Sequence, residues 1–534
     1  MTDSKTLQAD PLQAGTWRND TASLQDWIAV IAGAVGALIA SLDISIVNSA
    51  LPQIQGEVGA SGTEGTWIST GYLVSEVVMI PLAAWLTRVF GLRNLLLTCV
   101  VMFTLFSIQC GLSHTLTAII IGRVGQGFFG GALIPTAQTI VRTRLPPRQL
   151  PVGMSIFGLI VLLGPLVGPV IGGWLTEHWS WQWCFFLNLP IAVGLVALLL
   201  VGMNKDKSNV RDLVHADWLG ILGMTVGLSC LTVVLEDGQR ELWFESAQIR
   251  WLTLASAIGF VLLGIAQAIS PRPVIKLKLL LNKSYAAVIG IIVVVGMVLY
   301  GVLYVIPQFL SGIAGDNAEE AGRVLFMSGL PAFLMMPILP AMLKLDLRLT
   351  VIAGLCCFAV SCFMDTNLTA QSSGQTFLLT QLLRGAGQIL TFMPLNQASV
   401  GAVGLEDAAD AAGLYNMARN LGGSMGLALL GVFIDRQTVA HVQSISASVS
   451  ANSPLAQSQI AAQAAGFAAQ HGGDLASGQV QALAQLGATE QVQALVMTYA
   501  DCFFVLGVAL LVMIPLVFLL RPPPKGAAQS DLAH

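Results

Sequence analysis

The chain has 534 residues, and 25 Lys and Arg against 29 Asp and Glu give a formal charge of −4. Charged residues make up 10% and hydrophobic residues 55%, whereas a soluble domain carries about 25% charge. That balance excludes a soluble enzyme and a disordered chain, and the lack of a basic stripe excludes nucleic-acid binding.

What remains is a polytopic membrane protein. A helical span needs about 20 apolar residues. Fourteen stretches qualify, at 26–47, 66–87, 94–112, 116–141, 152–176, 183–203, 217–236, 250–270, 284–309, 321–343, 347–364, 375–402, 409–434 and 496–520. No alternating strand pattern suggests a barrel, so the expected fold class is all-α. Residues 1–25 are polar and lack a cleavage site, which predicts a cytoplasmic tail rather than a removed signal. With the N-terminus inside, 18 Lys and Arg fall on the cytoplasmic side and 4 on the outer side. Orientation follows that bias, and it places both termini in the cytoplasm, the second as a tail at 521–534. The eight cysteines lie almost all within spans and are expected to act as small apolar residues. The six histidines show no ligand spacing, so no metal and no cofactor is expected.

Charges within the spans are expected to do work, because each costs about 2.5–3.5 kcal/mol at the bilayer centre. In chain order they are Asp43, Glu76, Arg123, Arg384 and Arg419, with Asp501 near the end of the last span. A carboxylate in low dielectric holds its proton tightly, and a nearby Arg loosens it. A site whose partner changes between two states can load and release a proton, which makes Asp43, Glu76 and Arg123 the proton-coupling residues. Two alternatives stay open: Asp43 and Arg123 as a permanent packing pair, and Glu76 as a counter-ion for a cationic substrate.

The fifth span carries Gly164-Pro165, Gly168-Pro169 and Gly172-Gly173. Small residues four apart let helices approach closely, and the prolines remove backbone donors. Arg123-Val-Gly-Gln126-Gly recurs loosely as Arg384-Gly-Ala-Gly-Gln388, and a proline follows each. This predicts two related halves: residues 26–203 and 284–520, with two inserted spans in 204–283. Residues 437–495 form a long outer segment with 15 Ala, 11 Gln and no Lys or Arg. Short amphipathic helices or a floppy linker are the two readings of it.

With these residues in view, the chain resembles the fourteen-span drug:proton antiporters of the major facilitator superfamily (EmrB/QacA type) over almost all of residues 26–520. Leu42-Asp43-Ile-Ser45-Ile-Val-Asn48-Ser-Ala-Leu51-Pro52 is similar to the first-span signature, with Ser45 in place of Thr. Trp67 to Tyr72 resembles the start of the second span. Arg123, Gln126, Gly127 and Gly131 match the fourth-span motif, and Gly164 to Gly173 match the fifth-span antiporter motif. Trp181-Gln182-Trp183 through Asn188-Leu-Pro190 and Asn416-Met-Ala-Arg419-Asn420-Leu-Gly-Gly423 match two more. One motif departs. Between spans two and three Ala84 stands for the first Gly and Arg88 for the usual Asp, while Gly91 and Arg93 remain. An Asp-based latch between halves is therefore not expected, and Arg88 and Arg93 are as readily placed against anionic lipid.

The resemblance implies two six-helix halves and a proton-coupled exporter of amphipathic or toxic compounds working by alternating access. It implies the bacterial inner membrane, a periplasmic membrane-fusion adaptor and an outer-membrane channel. The substrate cavity is expected near the midplane, lined by Asn48, Tyr72, Gln126, Phe129, Tyr300, Tyr304, Phe392, Met393, Tyr415 and Asn416. Arg88, Gly91, Arg93, the fifth-span Gly and Pro residues, Arg384 and Arg419 are expected to move with the conformational change. Export of one endogenous metabolite on the same scaffold is the alternative, and a membrane-embedded enzyme or receptor is a remote one.

Overall fold

The computed structural model describes residues 21–520, apart from 147, 206–215, 272, 336–337, 339–341, 343–345, 449–453 and 471–473. Most of the two expected tails, residues 1–20 and 521–534, thus lies outside the described residues. Among the described residues the regular structure is all helical. Helix α1 spans Leu24–Val58, α2 Trp67–Phe90, α3 Leu92–Gly111, α4 Leu116–Arg144, α5 Leu150–His178 and α6 Gln182–Gly202. The next pair is α7 Trp218–Asp237 and α8 Ala247–Ile269. Then come α9 Lys283–Phe309, α10 Ala318–Phe326, α11 Leu347–Met364, α12 Leu378–Gly401, α13 Ala408–Ser448 and α14 Leu475–Val512.

Among the described residues, twelve helices are long and apolar enough to cross a membrane. The two other expected spans fail that test for different reasons. α12 is long enough but carries Gln381, Arg384, Gln388 and Asn396. The tenth expected span, 321–343, begins as α10, followed by a 3-10 turn, Met327–Gly329, and a short helix, Leu330–Met335, and most of 336–343 lies outside the described residues.

Three helices outrun their expected spans. α1 begins at a capping box in which Ser23 and Asp26 satisfy each other's backbone amides, and it stops at Gly59 with φ 64°. At 1.5 Å per residue it is roughly 50 Å long, against a hydrocarbon core of about 30 Å. α13 has 41 residues and α14 has 38, so both project well beyond any bilayer. The 437–495 segment is thus neither a floppy linker nor only short helices. Its described residues are the continuation of α13, a helix at Pro454–Gln470, and the start of α14, with 449–453 and 471–473 outside them. Ala and Gln are strong helix formers, and nothing interrupts the helix leaving the span.

Packing divides the bundle into two bodies. One apolar core is built from α1–α6 and reaches Met224, Leu228 and Leu263 of α7 and α8. The other runs from Ala287 to Leu520. Within the first body α1 lies along α5. A methyl on Gly164, Gly168 or Gly172 would collide with Ser41, Ser45 or Ser49, respectively, and with the α1 backbone. Matching stripes of small residues, four apart on both helices, set this contact. Gly173, expected in the same motif, has nothing near it and lies off the seam. Between the bodies, α13 packs on α2 and α4, α10 on α5, and α7 on both α2 and α13.

Candidate functional site

Asp43 on α1 and Arg123 on α4 are both fully buried. They form an ion pair through Arg123 Nη1 and Asp43 Oδ2. The rest of each group is also engaged. Asp43 Oδ1 accepts from Gln126 Nε2 at 3.1 Å and from Asn188 Nδ2 at 2.7 Å. Arg123 Nε donates to the Ile68 carbonyl at 3.1 Å, and the Tyr72 ring lies 4.3 Å from the guanidinium carbon. Four helices, α1, α2, α4 and α6, therefore close one network. Such a network is stable while complete and costly when one member is lost. Asn188 was not among the expected site residues, although it begins the Asn188-Leu-Pro190 motif; its polarity in an apolar run was the available signal.

Glu76 differs. It is 3% exposed and, among the described residues, has no hydrogen bond or ion pair. It faces a cavity of about 40 Å³ between α2, α7, α9 and α13. Glu236 of α7 lines the same cavity and accepts a hydrogen bond from Ser424 of α13 at 2.7 Å. Glu236 is a second in-span carboxylate that the sequence reading passed over; it is the last residue of the expected span 217–236. A drug-sized site needs about 300–1,000 Å³, so the two bodies are closed around this cavity.

The expected cavity residues separate into distinct places. Tyr72 and Gln126 belong to the Asp43 network, and Tyr300 lines the small cavity. Asn416 Nδ2 donates to Gln138 Oε1 at 2.8 Å and so ties α13 to α4. The Tyr415 hydroxyl meets the Phe392 carbonyl at 3.4 Å. Met393 packs with Leu159 of α5, and a methyl on Gly158 would strike it. Phe129 stacks on Phe106 within the first body. Asn48 is exposed and accepts from Ser69 Oγ at 2.6 Å. Tyr304 is 42% exposed and does not line the small cavity. It lies one turn beyond Tyr300, while α7, whose Glu236 walls that cavity, ends at Asp237.

Arg384 has a partner that sequence did not suggest. It pairs with Asp365, which follows α11, and both side chains are 1% exposed. The second body thus holds a buried Arg–Asp pair of its own. Arg419 is half-buried; its guanidinium reaches Asn420 Oδ1 at 3.5 Å, and its Nε is buried without a partner.

At the end of the bundle rich in Lys and Arg, the two bodies are joined by charge. Arg88 Nη1 donates to both Asp410 oxygens, at 3.0 and 2.9 Å. Lys276, from the segment between α8 and α9, reaches the same Asp410 at 3.0 Å and Asp407 at 2.6 Å. Burial works against the Lys276 ammonium, but Asp407 and Asp410 outweigh it and hold its pKa above the ordinary 10.5. A lipid-facing Arg88 is therefore corrected: the contact is a latch of reversed polarity, with the cation on α2 and the carboxylate on α13. Gly91 adopts φ 80° between α2 and α3, a conformation that suits glycine, and Arg93 follows it.

The profile described as "Major Facilitator Superfamily" matches residues 33–427. The "Colistin resistance protein EmrB" of Acinetobacter baumannii is 32% identical over 79% of this chain and 83% of its own length. The "Multidrug export protein EmrB" of Escherichia coli K12 is 28% identical over 95% of this chain and 98% of its own length. Among solved structures, the human organic anion transporter MFSD10 (TETRAN) superposes with a TM-score of 0.57 at 14% identity. That match covers 91% of this chain and 99% of the other, a likeness of fold.

Proposed function

This chain belongs to the Major Facilitator Superfamily, in its EmrB-type branch, and we propose that it is a proton-coupled exporter of amphipathic and toxic organic compounds. It works in the bacterial inner membrane by alternating access. Its similarity to a colistin resistance protein and a multidrug export protein supports export of several compounds. The observation that carries proton coupling is the unequal state of two buried carboxylates in one body: Asp43 locked by Arg123, Gln126 and Asn188, and Glu76 unpartnered at a cavity. Protonating Asp43 releases the Arg123 guanidinium, and Glu76 is the carboxylate toward which that charge can turn. Opening and closing of the small cavity then alternates which side of the membrane supplies and receives the proton.

The available energy suffices. One proton entering down ~100 mV and one pH unit releases roughly 3.7 kcal/mol, enough for a several-hundred-fold gradient of a neutral compound. The latch of Arg88, Lys276 and Asp410 is the element that parts when the bundle opens at its basic end, and the α1–α5 seam is the close contact that stays together. The projecting ends of α13 and α14, with Pro454–Gln470 between them, are the surface offered to a periplasmic adaptor and, through it, an outer-membrane channel.

The test is dye efflux in inverted vesicles, comparing the native chain with Asp43→Asn and Glu76→Gln at matched expression. Efflux that collapses with an uncoupler and is absent in Asp43→Asn supports proton exchange through α1. Unchanged efflux in both variants refutes the assignment and leaves Asp43–Arg123 as a packing pair.

A further inference from the structure

The cavity between α2, α7, α9 and α13 holds, beside Glu76, a second carboxylate, Glu236, that the exporter reading does not use. Six of its lining residues, Glu76, Glu236, Thr232, Tyr300, Asn420 and Ser424, carry side-chain oxygens, and no Lys, Arg or His lines it. Two carboxylates therefore face a space with no cation in it. Glu236 is held in place by the Ser424 hydroxyl at 2.7 Å. Thr232 donates to its own helix at the Leu228 carbonyl, 2.9 Å away, which leaves its oxygen able to accept. Glu76 is more than nine-tenths buried with no hydrogen bond or ion pair among the described residues. Arg419 and Arg123 act on it electrostatically, but neither comes within ion-pair distance. A buried charged carboxylate without a partner is costly, so Glu76 is satisfied either by a proton or by a cation that enters the cavity.

We infer that this cavity is a subsite for the ammonium or amidinium head of an organic cation, and that Glu236, on the inserted pair of helices, is its specificity-determining residue. The inference rests on the exporter reading and names a substrate class for it. A space of about 40 Å³ admits a compact charged head and excludes the body of a drug-sized molecule. The body must then lie along the α2–α13 interface once the two bodies part. The Tyr300 ring forms an aromatic wall for a cation, seated there because a side chain on Gly423 would overlap it. Glu76 and Glu236 supply the two countercharges, so the insert is part of the site and not only extra membrane belt.

The probe is dansylcadaverine, whose tail ends in a primary ammonium, set against its neutral N-acetyl derivative. Both are titrated by fluorescence onto the purified full chain in detergent. The native chain is expected to bind the amine more tightly than the acetylated form. Glu236→Gln should weaken amine binding about tenfold, which is roughly 1.4 kcal/mol, and bring the two affinities together. Glu236→Asp should restore part of the preference, and Ser424→Ala should lose part of it. The inference is overturned if Glu236→Gln shifts the amine less than about twofold, if it weakens both probes equally, or if the native chain shows no preference. Should Glu236→Gln fail to fold, Glu236→Asp and Ser424→Ala decide by the same ratio. Binding needs no gradient, so the two readings fail separately. A Glu236-dependent preference without proton-driven efflux in proteoliposomes refutes the exporter and keeps the subsite.

Discussion

Removing the Asp410 charge should unlatch the basic end of the bundle. The Asp410 side chain is 3% exposed while Arg88 is 33% exposed, and Arg88 and Lys276 both reach it within 3.0 Å. An exposed pair is worth about 0.2–1 kcal/mol, and breaking a buried one costs about 3–5 kcal/mol. With the carboxylate buried and both cations one-third exposed, Asp410→Asn falls between, at about 1–3 kcal/mol, a shift of roughly 5–150-fold toward the open state. Spin labels on Asn94 and Leu281, both exposed near this end in different bodies, would report it as a longer distance in a cysteine-free background. Arg88→Gln should act in the same direction. The double variant should cost less than the sum, because the two singles remove one interaction. The sign with pH follows from Lys276. Its raised pKa makes its contribution complete below 10.5 and lost only as pH rises through the folded value. The Lys276 contact should therefore hold constant between pH 6 and 9. Unchanged distances in Asp410→Asn, or strict additivity in the cycle, would refute the latch.

Other outcomes follow from burial and space. Asp43→Asn should lower the thermal midpoint in detergent, by about 3–5 kcal/mol of stability, since it strands buried Arg123. Glu76→Gln removes a carboxylate that has no partner, so its midpoint should hold or rise while proton-driven efflux falls; a destabilised Glu76→Gln would show a hidden partner. On α5, Gly164→Val should cost about 1–3 kcal/mol by driving into Ser41 and the α1 backbone. Gly173→Ala, with open space around it, should be neutral or stabilising by up to about 1 kcal/mol. Unfolding midpoints that rank these two glycines alike would sink the seam.

Composition and hydropathy determined that this chain is a helical membrane bundle, because every backbone group in a bilayer must be satisfied within its own helix. They placed most helix starts within a few residues and marked Asp43, Glu76, Arg123 and Arg384 as charges with work to do. Opposite charges within the first and fourth spans suggested Asp43 and Arg123 as one site, Asp43 in the last turn or so of 26–47 and Arg123 in the outer half of 116–141. What sequence left undecided is which faces meet. Asp365 was read as a loop residue, yet the turn after α11 folds it inward onto Arg384. Arg88 was left between a conformational role and a contact with anionic lipid, and α13 brings Asp410 to it across from the other body, 322 residues away. Glu236 became visible only because α7 wedges between α2 and α13. Periodicity fixes the face on which a side chain lies relative to its own helix axis. The rotation and partner of that helix follow from packing over hundreds of residues, and those decided the latch, the second buried pair and the carboxylate cavity.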